Sequence, residues 1–64
     1  MTKEELEAFL KRHALDHEEF AELLGVTRQA VWHWLNEERS ISLTVGRLCR
    51  MFDRKPELMR EFVS

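Results

Sequence analysis

The sequence predicts an all-α fold, a compact bundle of five short helices, and three observations predict it. Glycine and proline are scarce, two and one in 64 residues, and tyrosine is absent, which disfavours strands and tight hairpins. Apolar residues recur at spacings of three and four, the period of a helix with one buried face. Capping residues stand before each such run, where the first amides of a helix need acceptors.

The elements follow in order. Thr2 and Glu5 form a capping box, in which the hydroxyl accepts from the amide three residues on and the carboxylate reaches back. The first helix then runs to about His13 on the stripe Leu6, Phe9 and Leu10, with Ala14 as a possible extension. Asp16 and Glu19 repeat the box, and Leu15 with Phe20 makes a hydrophobic staple across it. The second helix spans roughly 17 to 24 and stops at Gly25, where a left-handed residue wants no Cβ. Thr27 caps the third helix, Val26 and Val31 staple it, and it continues to about Asn36. After the polar loop Glu37-Glu38-Arg39-Ser40, either Ser40 or Ser42 caps a fourth helix carrying Ile41, Val45, Leu48, Cys49 and Phe52 on one side. Pro56 suits the first turn of a fifth, since its missing amide would be unpaired there anyway. We expect one domain over 1–64, with no internal repeat, linker or low-complexity segment.

Charge is unevenly placed. The net value is −2, yet residues 1–27 hold three cations against seven acids, and residues 28–64 hold seven cations against five. An anionic partner is therefore better tolerated by the second half. The acidic first half would suppress indiscriminate sticking to polyphosphate. One cysteine, Cys49, makes no internal disulfide, and it reads as a small core residue on the apolar side of its helix. No apolar run is long enough for a membrane span, and Met1 is followed by Thr2, Lys3 and acids rather than a basic and then greasy leader. The expected location is cytoplasmic.

The functional question concerns "FAELLGVTRQAVWHWLN", residues 20 to 36. Ala21 is small where two helix axes must approach, Gly25 ends one helix, and a cap and a second apolar helix follow within two residues. On helical spacing Val31, Trp34 and Leu35 face inward, which leaves Arg28, Gln29, Trp32, His33 and Asn36 outward. Arginine can donate two hydrogen bonds to guanine, and glutamine can match adenine. An indole beside them can cover a thymine methyl or sugar, or else fold sideways onto a neighbouring helix or partner.

The stretch "FAELLGVTRQAVWHWLNEER" resembles the phage-repressor helix-turn-helix family of the Cro/cI (xenobiotic-response-element) type, over essentially the whole chain. Many members carry glycine shortly after the tryptophan of the third helix, where this sequence has Glu37. The resemblance implies a lambda-repressor-like DNA-binding domain with the helix-turn-helix at about 17–36 and the third helix in the DNA major groove. Base reading would fall to Arg28, Gln29, Trp32 and His33, and backbone contacts to His17, Thr27, Asn36 and Arg39. Arg47 and Arg50 read first as a solvated face and second as phosphate contacts.

The implied function is a small transcriptional repressor, with autoregulation of its own operon implied by the same resemblance, binding a palindromic operator in double-stranded DNA as a homodimer, with the segment at about 55–64 and its Leu58, Met59, Phe62 and Val63 supplying the dimer contact. The tryptophan-rich "AVWHWLN" is similar to compact regulators found beside phage anti-CRISPR genes and to the DNA-binding half of antitoxins. The alternative is a helical adaptor that grips a protein through an exposed Trp32. No enzyme activity, cofactor, small-molecule ligand or metal is expected: the carboxylates sit in caps and on exposed faces, and His13 and His17, though four apart, are separated by a helix break at Leu15-Asp16.

Overall fold

The computed structural model describes residues 1–62, and these form an all-α bundle: α1 (Lys3–Arg12), α2 (His17–Leu24), α3 (Arg28–Leu35), α4 (Leu43–Arg54) and α5 (Met59–Phe62). A single 3₁₀ turn, Pro56–Leu58, leads into α5, so the fifth helix begins in a tighter form than expected. No strand occurs among the described residues.

The caps act as their residue types dictate. Thr2 Oγ1 accepts from the Glu5 amide at 3.1 Å while the Thr2 amide donates to Glu5 Oε1 at 2.7 Å. Asp16 and Glu19 reproduce the box at 2.7 and 2.9 Å. Thr27 Oγ1 accepts from the Ala30 amide at 3.1 Å, and Ser42, rather than Ser40, caps α4 by accepting from Val45 at 3.2 Å.

Three helices end in one hydrogen-bond pattern. At the end of α1 the Leu15 amide donates to the Leu10 carbonyl and the Ala14 amide to that of Lys11; after α2 the same pair is Val26 to Ala21 and Gly25 to Glu22; after α3 it is Glu38 to His33 and Glu37 to Trp34. This is the Schellman closure, which satisfies orphan carbonyls by placing one residue in the left-handed region. That residue is Gly25 at φ 71°, as the glycine foretold, but elsewhere it is Ala14 at 52° and Glu37 at 59°. Ala14 therefore turns the chain and lies exposed instead of extending the α1 stripe. Glu37 does the work of a glycine while keeping its side chain.

Leu6, Phe9 and Leu10 of α1, Phe20, Ala21 and Leu23 of α2, Val31 of α3, and Val45, Cys49 and Phe52 of α4 make one buried core. Phe9 meets Phe20 edge-on at 5.8 Å between ring centres. Ala21 is buried where α2 packs on α3, as its small size requires. Full burial of each large apolar side chain stabilises the fold by about 1.5–3 kcal/mol. Burial also raises the Cys49 thiol to about 11, well above its ordinary value, so it stays protonated.

Outside the core, Asp53 of α4 ties down the end of α1. Its carboxylate accepts from Arg12 Nη2 at 2.8 Å and Nε at 3.3 Å, and lies 2.8 Å from His13 Nε2. Partial desolvation pushes this carboxyl up, but the hydrogen bonds from His13 and Arg12 outweigh it and hold Asp53 below the ordinary carboxylate range.

Leu58 and Met59, expected at a dimer surface, are partly buried against the core. The core has room for them because α5 follows the 3₁₀ turn back towards α2. Phe62 meets buried Phe52 edge-on at 5.2 Å yet remains 47% exposed. Val63 lies outside the described residues. No helix among the described residues is long and apolar enough to cross a membrane.

Candidate nucleic-acid interface

The turn between α2 and α3 consists of Gly25, Val26 and Thr27, with Val26 packed against the core. Its brevity holds the start of α3 close to α2, and Val31, fully buried, fixes the rotation of α3 about its own axis. Once Val31 points inward, a rotation of about 100° per residue sets Arg28, Trp32 and Gln29 along one flank of α3, at about 60°, 100° and 160° from Val31. All three are exposed, Trp32 to 47%.

These three side chains do not merely share a helix face. With His17, at the first turn of α2, they line one open concavity of about 630 Å³. Sequence spacing alone pairs Arg28, Gln29 and Trp32, but His17 lies eleven positions before Arg28 and reaches them only because α2 packs on α3. The concavity thus offers a guanidinium, a carboxamide, an imidazole and an indole N–H together. That set can donate to guanine or phosphate, match adenine, and cover an apolar methyl. Among the described residues Arg28 forms no ion pair, which leaves its fork of donors open.

The other expected contact residues divide by their local partners. Thr27 Oγ1 already accepts from Ala30, which leaves the hydroxyl hydrogen for a further acceptor. His33 is engaged: its Nδ1 lies 3.0 Å from Glu38 Oε1, its ring stands edge-on to Trp32 at 5.3 Å, and its side chain is only 22% exposed. Asn36 donates its side-chain amide to the Trp32 carbonyl at 2.8 Å, closing the end of α3. Arg39 is exposed but lines a different concavity, with Lys3, Trp34 and Glu37 among others. The structure therefore brings together His17, Arg28, Gln29 and Trp32, and leaves His33, Asn36 and Arg39 outside that group. His33 and Asn36 are engaged by partners within five residues, the carboxylate of Glu38 and the carbonyl of Trp32, whereas the separation of Arg39 from the group is decided by packing.

The electrostatics are mixed. Glu18 and Glu19 occupy the first turn of α2 beside His17. Glu19 is held in its capping box, whereas Glu18 stays exposed. At the far end of α3, Glu37 and Glu38 add two carboxylates, one of them next to His33. Polyanion binding through this face would depend on close fit at Arg28 and Gln29 rather than on a broad positive field.

The fold is a small five-helix bundle with two eight-residue helices joined by a three-residue turn, and a polar, partly aromatic concavity opens at that junction. Comparison with protein-family models, with curated proteins and with solved structures found no match.

Proposed function

We propose that this chain is a sequence-specific DNA-binding regulator that inserts α3 into the major groove and acts as a homodimeric repressor on a palindromic operator. The observation that carries the reading is the shared, open concavity of His17, Arg28, Gln29 and Trp32 at the helix-turn-helix junction. Arg28 and Gln29 read base edges, Trp32 covers a thymine methyl or sugar, and His17 at the start of α2 faces phosphate. His33, Asn36 and Arg39 serve the duplex backbone or the end of α3.

A dimer is favoured by size. The longest dimension is about 30 Å, short of the roughly 34–36 Å that separates half-sites one helical turn apart on a duplex. Two copies are needed to read two half-sites, and Phe62, half-exposed at the end of the described chain, is a candidate for a contact between them beside half-buried Leu58 and Met59. Repression would follow from occluding polymerase at an operator that overlaps a promoter.

Repeated selection from a random double-stranded DNA pool, at a fixed and stated salt concentration, tests the reading. Enrichment of a palindrome supports it. A pool that stays unenriched discards DNA reading and leaves the protein-gripping use of Trp32.

A further inference from the structure

On the outer face of α4, rotation by about 100° per residue places Leu43, Arg47, Arg50, Met51 and Arg54 within roughly 100° of arc. None of these five is buried. Leu43 is 69% and Met51 36% exposed, so two of the five exposed large apolar side chains among the described residues lie on this one face. Towards the end of the helix, Arg47, Arg50, Met51, Arg54, Lys55 and Leu58 enclose an open groove of about 400 Å³. Met51 and Leu58 are its apolar lining, and the other four lining residues are cations.

The cations are uncommitted. Among the described residues none of the four enters an ion pair. The one carboxylate of α4, Asp53, is taken by Arg12 and His13. Glu5, the acid of α1 that shares a neighbouring concavity with Arg47 and Arg50, is held by the Thr2 amide. Glu57 sits in the adjoining 3₁₀ turn and does not line the groove. The face is thus basic beside an apolar lining, in a protein whose net charge is −2.

We propose that the outer face of α4 is a docking site for an acidic, amphipathic helical segment of a partner protein. Charge complementarity supplies the commitment to acid, and the apolar lining supplies the commitment to a peptide. A leucine or similar side chain would cover Met51 and Leu58, while glutamates or aspartates around it pair with the arginine forks. A phosphodiester backbone would satisfy the arginines but leave Met51, Leu58 and Leu43 uncovered. Docking of a second copy through its acidic α2 fits less well, since α2 offers Glu18, Glu19 and Glu22 on its exposed side but no exposed large apolar residue. The twelve residues of α4 extend about 18 Å, so a partner helix of three to four turns would span the face. The inference is independent of the DNA reading, since it uses a different helix and a different set of side chains.

The test uses the full chain, isotopically labelled, titrated with a synthetic helical peptide bearing two leucines four residues apart and four flanking glutamates. Two comparison peptides replace the leucines by glutamine or the glutamates by lysine. The expected result is saturable binding with amide shifts concentrated at residues 43–58, weakened about tenfold or more by removal of either the leucines or the acids. Met51→Gln, a surface change that leaves the core and the charge intact, should weaken the leucine peptide several-fold and leave the glutamine peptide unaffected.

The proposal is overturned if no binding occurs, if the glutamine peptide binds as well as the leucine one, or if shifts fall on α3 instead. It is also overturned if a double-stranded DNA fragment produces the 43–58 shifts, or if concentration-dependent self-association that Arg50→Glu abolishes occupies the face.

Discussion

Changing Gly25 to Ala and Ala14 to Gly should alter stability in opposite directions, because both residues hold the same left-handed turn at the end of a helix. At Gly25 an added Cβ would meet no atom within 4 Å, so crowding contributes nothing and only the backbone conformation matters. The left-handed region costs an ordinary residue about 1–2 kcal/mol. Against that, alanine restricts the unfolded chain and recovers about 0.4–1 kcal/mol. Gly25→Ala should therefore destabilise by about 0.5–1 kcal/mol, and Ala14→Gly, at φ 52°, should stabilise by a similar amount. Each kcal/mol moves the melting temperature of a domain this small by about 4–8 °C.

Gly46 supplies the control. It lies inside α4 without a left-handed φ, and a Cβ there would touch Met1 Cβ at 3.4 Å, an ordinary contact. Gly46→Ala should stabilise by up to about 1 kcal/mol through helix propensity. The same chemical change thus carries opposite signs at 25 and 46. Thermal melts followed by circular dichroism, with urea titration for the free energies, measure all three. A stabilised Gly25→Ala together with a destabilised Ala14→Gly would refute the closure described for these helix ends.

Three further outcomes are expected. Arg28→Ala should relax preference at one base position in each half-site, losing about 1–3 kcal/mol of discrimination, whereas Arg39→Ala should weaken all sequences alike and flatten the salt dependence; binding to a set of operator variants at several salt concentrations reads both. Because the Asp53 carboxyl is held below its ordinary value in the fold, its contribution is present at neutral pH and is lost as pH falls through that lowered value; the stability gap between the wild type and Asp53→Asn should be under about 1 kcal/mol, given partial exposure, and should close as pH falls below the ordinary carboxylate range. Cys49, buried and with its thiol raised to about 11, should react with an aromatic disulfide at pH 8 only at the rate of unfolding, and a fast reaction in the native state would contradict its place in the core.

The first three helix starts were legible because capping is decided within three residues: a hydroxyl or carboxylate at Thr2, Asp16 or Thr27 either reaches the amide ahead of it or does not, whereas Ser40 and Ser42 offer the same hydroxyl and only the fold chose Ser42. The buried stripes of α1 and α4 were legible for a similar reason, since an apolar spacing of three and four has one geometric meaning on a helix. The helix ends were less so. Gly25 announces its turn, but Ala14 and Glu37 adopt the same conformation with no glycine to mark it, each held there by hydrogen bonds to the helix before it. The packing of the fifth helix was not legible, because Leu58 and Met59 look surplus until the chain is folded back onto the core.

By itself the sequence determined the helical class, the caps and the direction in which Arg28, Gln29 and Trp32 point relative to Val31, all of them consequences of bonds and periodicities spanning at most a few turns. The tertiary structure decided what those side chains meet. It set His17 beside them, placed Asp53 against Arg12 and His13 some forty residues away, and left Arg39 in another concavity. The physical reason is that a helix fixes angles about its own axis, while the packing of Phe20, Ala21 and Val31 between axes fixes which faces become neighbours.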